Sequence, residues 1–155
     1  MHVIEIARTG GPEVLERHDR PIPKPRSGEV LIKAHAIGVA GWLSAQAHRD
    51  SGPGHYDAAD AVTLEVLRHL EPLLPDAAAP TLAIAGALQF EAGYTAARRG
   101  DTGQAWAWWD RARTVAERLP ADYYHPVTSF SRAIMGAHAT TVAVELHAGG
   151  ESVRQ

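Results

Sequence analysis

The residues able to do chemistry are scattered along this chain rather than gathered into a motif. Nine histidines are present, but none pairs with another at the i, i+4 spacing, with a nearby carboxylate, that a helical zinc protease site needs. His138 and His147 read instead as residues on helix flanks. His125, Ser129 and Ser131 lie close together, yet no strained nucleophile turn surrounds either serine, and a triad is defined by geometry rather than by sequence proximity. Cysteine is absent, which removes disulfides, thiolate metal sites and cysteine nucleophiles and is compatible with a reducing cytoplasm. No G-x-G-x-x-G turn occurs to cradle a pyrophosphate, because Gly10-Gly11 leads through Pro12 into an extended run. These observations predict no catalytic residues, no metal site and no cofactor.

What remains is a set of side chains suited to contact. Phe90, Tyr94 and Arg98 follow one another at helical steps of four, which places two aromatic rings and a cation along one face. If the same helix packs through Gln89, Ala92, Gly93 and Ala96, that face lines a concave groove. Trp106, Trp108 and Trp109 cover more than one face of the following helix, so they cannot all enter one seam. Trp109 is expected in the core, and Trp106 and Trp108 are candidate contact residues. The candidate groove is therefore Phe90, Tyr94, Arg98, Trp106 and Trp108, open to a peptide, a protein segment or a small ligand, with a homodimer as a further use of the surface.

The elements that must position these residues change style near Gly41. Before it, short β-branched runs at Val3–Ile6, Val14-Leu15 and 30–33 are punctuated by Gly-Gly-Pro and by Pro21, Pro23 and Pro25, which predicts three strands. After it, Ala and Leu recur at spacings of three and four, predicting helices over 42–50, 56–71, 81–99, 102–118 and 127–147. Ser51-Gly-Pro-Gly, Pro72 with Pro75, Gly100-Asp101 and Pro120 supply the breaks. In the last helix Phe130, Ile134, Ala137, Thr141 and Val144 form one stripe that calls for a partner. The first strands have no closing partners, so part of 33–41 is expected to join the first helix and 1–28 to form at most a loosely held hairpin.

The most informative stretch runs from Gly86 to Arg113. Gly93 late in one helix, Gly100-Asp101 at the turn, then Ala105, Trp109 and Ala112 repeat a cadence of small, turn, small, aromatic, small. This resembles a tetratricopeptide hairpin, and fainter copies around Gly54–Val66 and Ala139–Gly150 give about two and a half repeats. The predicted fold class is therefore mainly α, a TPR-like stack of α-hairpins over 42–155 preceded by a short β fragment over 1–41.

Composition sets the outer limits. A chain of 155 residues, 45% of them hydrophobic and with a formal charge of −3, can bury a core. It lacks the Lys/Arg clustering that draws proteins to nucleic acid, and no apolar run is long enough for a membrane span, so no direct nucleic-acid binding and no membrane contact are expected.

The wording of residues 42–155, including GWLSAQAHRD, GALQFEAGYTAARRGD, AWAWWDRA and LPADYYHPVTSFSRAIMGAH, resembles the C-terminal repeat region of actinobacterial helix-turn-helix transcriptional regulators of the XRE type. That resemblance implies a non-enzymatic regulatory module that binds a partner or ligand, here without the helix-turn-helix that would read DNA. Residues 1–41, with GGPEVL, PIPKPRSGEVLIK and AHAIGV, resemble the GroES-like opening of quinone oxidoreductase-type medium-chain dehydrogenases/reductases. In that family a Cys or Asn follows the position matching Gly38-Val39, whereas this chain has Ala40-Gly41-Trp42. The alternative reading, a truncated and inactive NADPH-dependent quinone oxidoreductase fragment, would require chemistry that these residues do not supply.

Overall fold

The structure, a computed structural model, describes residues 2–6, 15–19, 21 and 35–152. The chain divides into two compact units, Met1–Lys33 and Ala34–Gln155. In the first, strands β1 (His2–Ile6) and β2 (Leu15–Asp19) pair antiparallel with Ile4 opposite Arg17. The third strand expected over 30–33 lies outside the described residues.

The second unit is mainly helical: α1 (His35–Asp50), α2 (Tyr56–Leu70), α3 (Ala79–Arg98), α4 (Thr102–Glu117) and α5 (Met135–Ser152). The unit boundary thus falls at 33/34 rather than at 41, because α1 takes up residues 35–41, as the shortness of 42–50 had suggested. The reason is packing. A Cβ on Gly38 would sit 2.4 Å from Ile84 Cγ2, and one on Gly41 would sit 2.5 Å from Val66 Cγ2. With Ala45, these glycines make a smooth stripe that lets α1 lie close against both α2 and α3.

Gly38→Ala is therefore expected to destabilise the protein, since an overpacking cost of about 1–3 kcal/mol exceeds the helix-propensity gain of about 1 kcal/mol. Gly136, on α5, has open space around its missing Cβ. Gly136→Ala should be neutral or stabilising by up to about 1 kcal/mol. Urea midpoints moving the same way for both variants would contradict this packing account.

Helix α3 is the centre of the unit. Every residue from Leu82 to Ala97 is buried, as befits a helix apolar on nearly all sides. Helix α1 packs on α2 and α3, α2 on α3, and α3 on both α4 and α5, while α4 also meets α5. The α3–α4 turn closes as the sequence implies. Asp101 N–H donates to the Ala96 carbonyl and Gly100 N–H to that of Ala97, both at 2.9 Å. Gly100 holds a φ of 80°, in the left-handed region that favours glycine. The Asp101 carboxylate then caps α4 by accepting the Gln104 N–H at 3.0 Å. Gly93 faces Ala105 across this hairpin, its absent Cβ 3.4 Å from the Ala105 carbonyl oxygen.

Two expectations are corrected. Helix α5 starts at Met135, not at 127, because the preceding segment folds back on itself: His125 N–H donates to Phe130 O at 3.1 Å, and Ser129 N–H to His125 O at 2.8 Å. Phe130 is consequently no member of a helical stripe; it is fully buried with its ring against Gly86. The inward face of α5 carries Met135, His138 and Val142, whereas Ala137 and Val144 are exposed and Thr141, also exposed, turns its hydroxyl to Tyr94 and the Ala137 carbonyl. Trp109 is half-buried rather than central, edge-on to Trp106 with its indole N–H donating to Met135 O at 3.3 Å.

Candidate functional site

On the side where α1, α3 and α5 meet lies a cleft of about 210 Å³, lined by Trp42 and Gln46 of α1, Phe90, Glu91 and Tyr94 of α3, the 127–129 segment and His138 of α5. The steps of α3 explain its contribution. Phe90 and Tyr94 stand one turn apart with ring centroids 6.1 Å apart, and Glu91 sits beside them.

Glu91 is the chemical centre of the cleft. Its side chain is 3% exposed and pairs with the guanidinium of Arg49, itself 11% exposed, near the end of α1. Burial pushes the Glu91 carboxyl up to about 7, against the opposing charge of Arg49 and hydrogen bonds from Gln46 and Trp42, while neighbouring Asp50 adds to the rise. Desolvation thus outweighs a direct ion pair. The Arg49 guanidinium also lies 5.4 Å from the centroid of the Tyr94 ring.

The opposite wall is made by α5. The Tyr94 hydroxyl hydrogen-bonds His138 Nδ1, and the His138 ring lies 3.7 Å, centroid to centroid, from Phe90. Burial lowers the His138 pKa to about 4, which keeps the ring neutral. Burial also raises the Tyr94 phenol, with the adjacent Glu91 charge adding to it. His138 Nε2 is buried with no hydrogen-bond partner among the described residues. Arg98 fastens the end of the cleft: it grips Glu145 of α5 through two bonds of 3.0 and 3.2 Å, and reaches Asp50 of α1 at 3.2 Å.

The remaining wall is the 125–130 turn. The buried His125 accepts the Thr128 N–H at Nδ1 over 3.1 Å. Ser129 takes a φ of 59°, unusual for a residue with a side chain. Its hydroxyl accepts a bond of 2.7 Å from Tyr124. The Ser129 hydroxyl and the His125 imidazole thus serve to shape this turn, and Ser129 is backbone-strained where the sequence suggested no strained turn at either serine.

The five residues expected in one groove divide between faces. Phe90 and Tyr94 line the cleft, and Arg98 anchors its end. Trp106 and Trp108 stand on α4, Trp106 against the core with Trp109, and Trp108 in a second depression with Asp60, Leu64 and Arg99. The reason is the 3.6-residue period: positions 106 and 108 sit on α4, which packs against the side of α3 marked by Gly93. Trp42, Gln46, Arg49, Glu91 and His138 were not legible as site residues. The one available signal was Glu91 itself, a lone carboxylate inside the small and apolar run 82–97.

Among the described residues no group of three or more His, Cys, Asp or Glu is placed to hold a metal ion, and no helix is long and apolar enough to cross a membrane. No family model matches the chain, and no curated protein or solved structure matches it either.

Proposed function

We propose that the helical unit is a TPR-like, non-enzymatic module that binds a small ligand in the α1/α3/α5 cleft, and that it serves as the regulatory region of a helix-turn-helix type transcriptional regulator. The cleft carries this reading. It brings aromatic walls together with a few directed polar groups, the composition of a small-molecule seat. Its volume of about 210 Å³ suits a small ligand rather than a peptide laid along a groove. The packing order supports the repeat assignment, since α1, α3 and α5 pack in succession while α2 and α4 each pair with a neighbour, the arrangement of stacked α-hairpins. Two pairs of polar groups at the cleft are engaged with one another, Glu91 with Arg49 and Tyr94 with His138, while His138 Nε2 has no partner among the described residues, an arrangement fit to hold and orient a ligand. The proposal involves no direct contact with nucleic acid or membrane.

The test is thermal denaturation of the wild type and of Val127→Trp in the presence of a varied set of small neutral, cationic and anionic compounds. Val127 lines the cleft while 52% exposed, so a larger side chain there obstructs the mouth without crowding the core. Some compounds should raise the melting temperature of the wild type and not of the variant. No stabilisation of the wild type by any compound, or equal stabilisation of both proteins, would refute the reading.

A further inference from the structure

We propose that the cleft takes a small organic cation, an ammonium or quaternary ammonium group caged by the rings of Trp42, Phe90 and Tyr94 beside the Glu91 carboxylate; this rests on the reading of the cleft as a ligand seat. The first support is the walls. The electron-rich faces of indole, phenyl and phenol rings attract cations, most strongly where water is excluded, and all three of these residues line one small space. That surface already accommodates a cation, because the Arg49 guanidinium rests 5.4 Å from the Tyr94 centroid.

The second support is charge. Helix α1 presents Arg49 and Asp50, α3 presents Glu91 and Arg98, and α5 presents Glu145 with the neutral His138. From the turn, His125 is occupied with Thr128. Among the residues that line the cleft Glu91 is the one carboxylate and none is a Lys or Arg, so with Glu91 ionised the lining itself is negative, with Arg49 as its partner behind. An entering carboxylate would meet Glu91; an entering ammonium would give Glu91 a second counter-charge. Glu91 needs one, since burial holds its carboxyl at about 7 even beside Arg49. The third support is size, since a volume of about 210 Å³ seats a headgroup rather than an extended molecule.

A cation bound there stabilises the ionised carboxylate, so binding releases a proton near neutrality and tightens as pH rises through the Glu91 pKa. The probes are choline, its uncharged carbon isostere neohexanol, and the anion tert-butylacetate, titrated at constant ionic strength and followed by the Trp42 indole N–H resonance and by calorimetry. Choline should bind saturably with a dissociation constant of about 1 mM or below, well inside the ceiling for a ligand of its size. It should bind about tenfold more tightly than neohexanol, with no saturable binding of tert-butylacetate. Its affinity should rise severalfold between about pH 6 and about pH 8. Glu91→Gln should remove the pH dependence and weaken the preference over neohexanol to what the rings alone supply. If that variant does not fold, the wild-type pH dependence decides alone: equal choline affinity at the two pH values overturns the cation assignment. Neohexanol or tert-butylacetate binding as tightly as choline overturns it while leaving the cleft as a ligand seat. Absence of saturable binding by all three also overturns it, and the thermal screen with Val127→Trp then decides separately whether the cleft binds anything.

Discussion

Phe130→Ala is expected to cost about 3–5 kcal/mol of folding stability, the range for deleting a fully buried aromatic ring. Phe130 has no exposed surface. Its ring packs 5.2 Å from that of Phe90 and fills the space a side chain at Gly86 would need, where a Cβ would stand 2.0 Å from Phe130 Cζ. The same residue closes the 125–130 turn through its carbonyl, so its loss should also loosen the 127–129 wall of the cleft. A second consequence follows from the close approach. Gly86→Ala alone should be strongly unfavourable, yet in the Phe130→Ala background the new methyl has room, so the two effects should be far from additive. Urea denaturation of the four proteins of the cycle measures this. A loss below about 1 kcal/mol for Phe130→Ala, or strict additivity, would show that the ring does not occupy the Gly86 notch.

The second large effect is hidden in the wild type and appears only on mutation. Burial raises Glu91 from 4.5 to about 7, so between these values the native state keeps a proton that the unfolded chain has lost. Its contribution is full below the unfolded value and is lost as pH rises through the folded one, a total of about 3 kcal/mol. His138 works in the opposite sense. Its pKa falls from 6.5 to about 4, so its contribution is present above the unfolded value and lost as pH falls through the folded one. From pH 4.5 to 6.5 the two slopes oppose one another, and the wild type should show little pH dependence from this pair. His138→Gln should unmask a fall in stability with rising pH across that interval, on the order of 1 kcal/mol per pH unit, and Glu91→Gln should unmask a rise. Urea midpoints read across the interval settle it. A flat profile for His138→Gln would mean that Glu91 titrates near its ordinary value.

How much of this could be read from the residues differs by element. The breaks at Gly100-Asp101 and around Pro72 were legible because their causes are local: a left-handed glycine, a capping carboxylate and a missing N–H donor. The close approach of Gly93 to Ala105 was legible as a pattern of small residues across a turn. The start of α5 was not. A step of three and four from Phe130 to Val144 describes a helical face, but periodicity alone does not say which face is covered. The Phe130–Gly86 contact that ends the preceding turn spans 44 positions, as 130 minus 86.

The site divides in the same manner. Phe90 and Tyr94 share one helix and were found by spacing. Arg49 and His138 come from helices distant in sequence and meet Glu91 and Tyr94 only once α1 and α5 are laid against α3. Trp106 and Trp108 are aromatic residues suited to contact, and the turn of α4 carries them to a different side.

Amide and indole NMR should locate on the protein any compound that stabilises the wild type in the thermal screen. The cleft account predicts that the largest shifts fall on Trp42, Gln46, Glu91 and the 127–129 turn, and that the Trp106 and Trp108 indoles on α4 stay unmoved. Shifts concentrated on Trp106, Trp108 or Leu64, with the Trp42 and Gln46 signals unchanged, would place binding elsewhere and contradict the account.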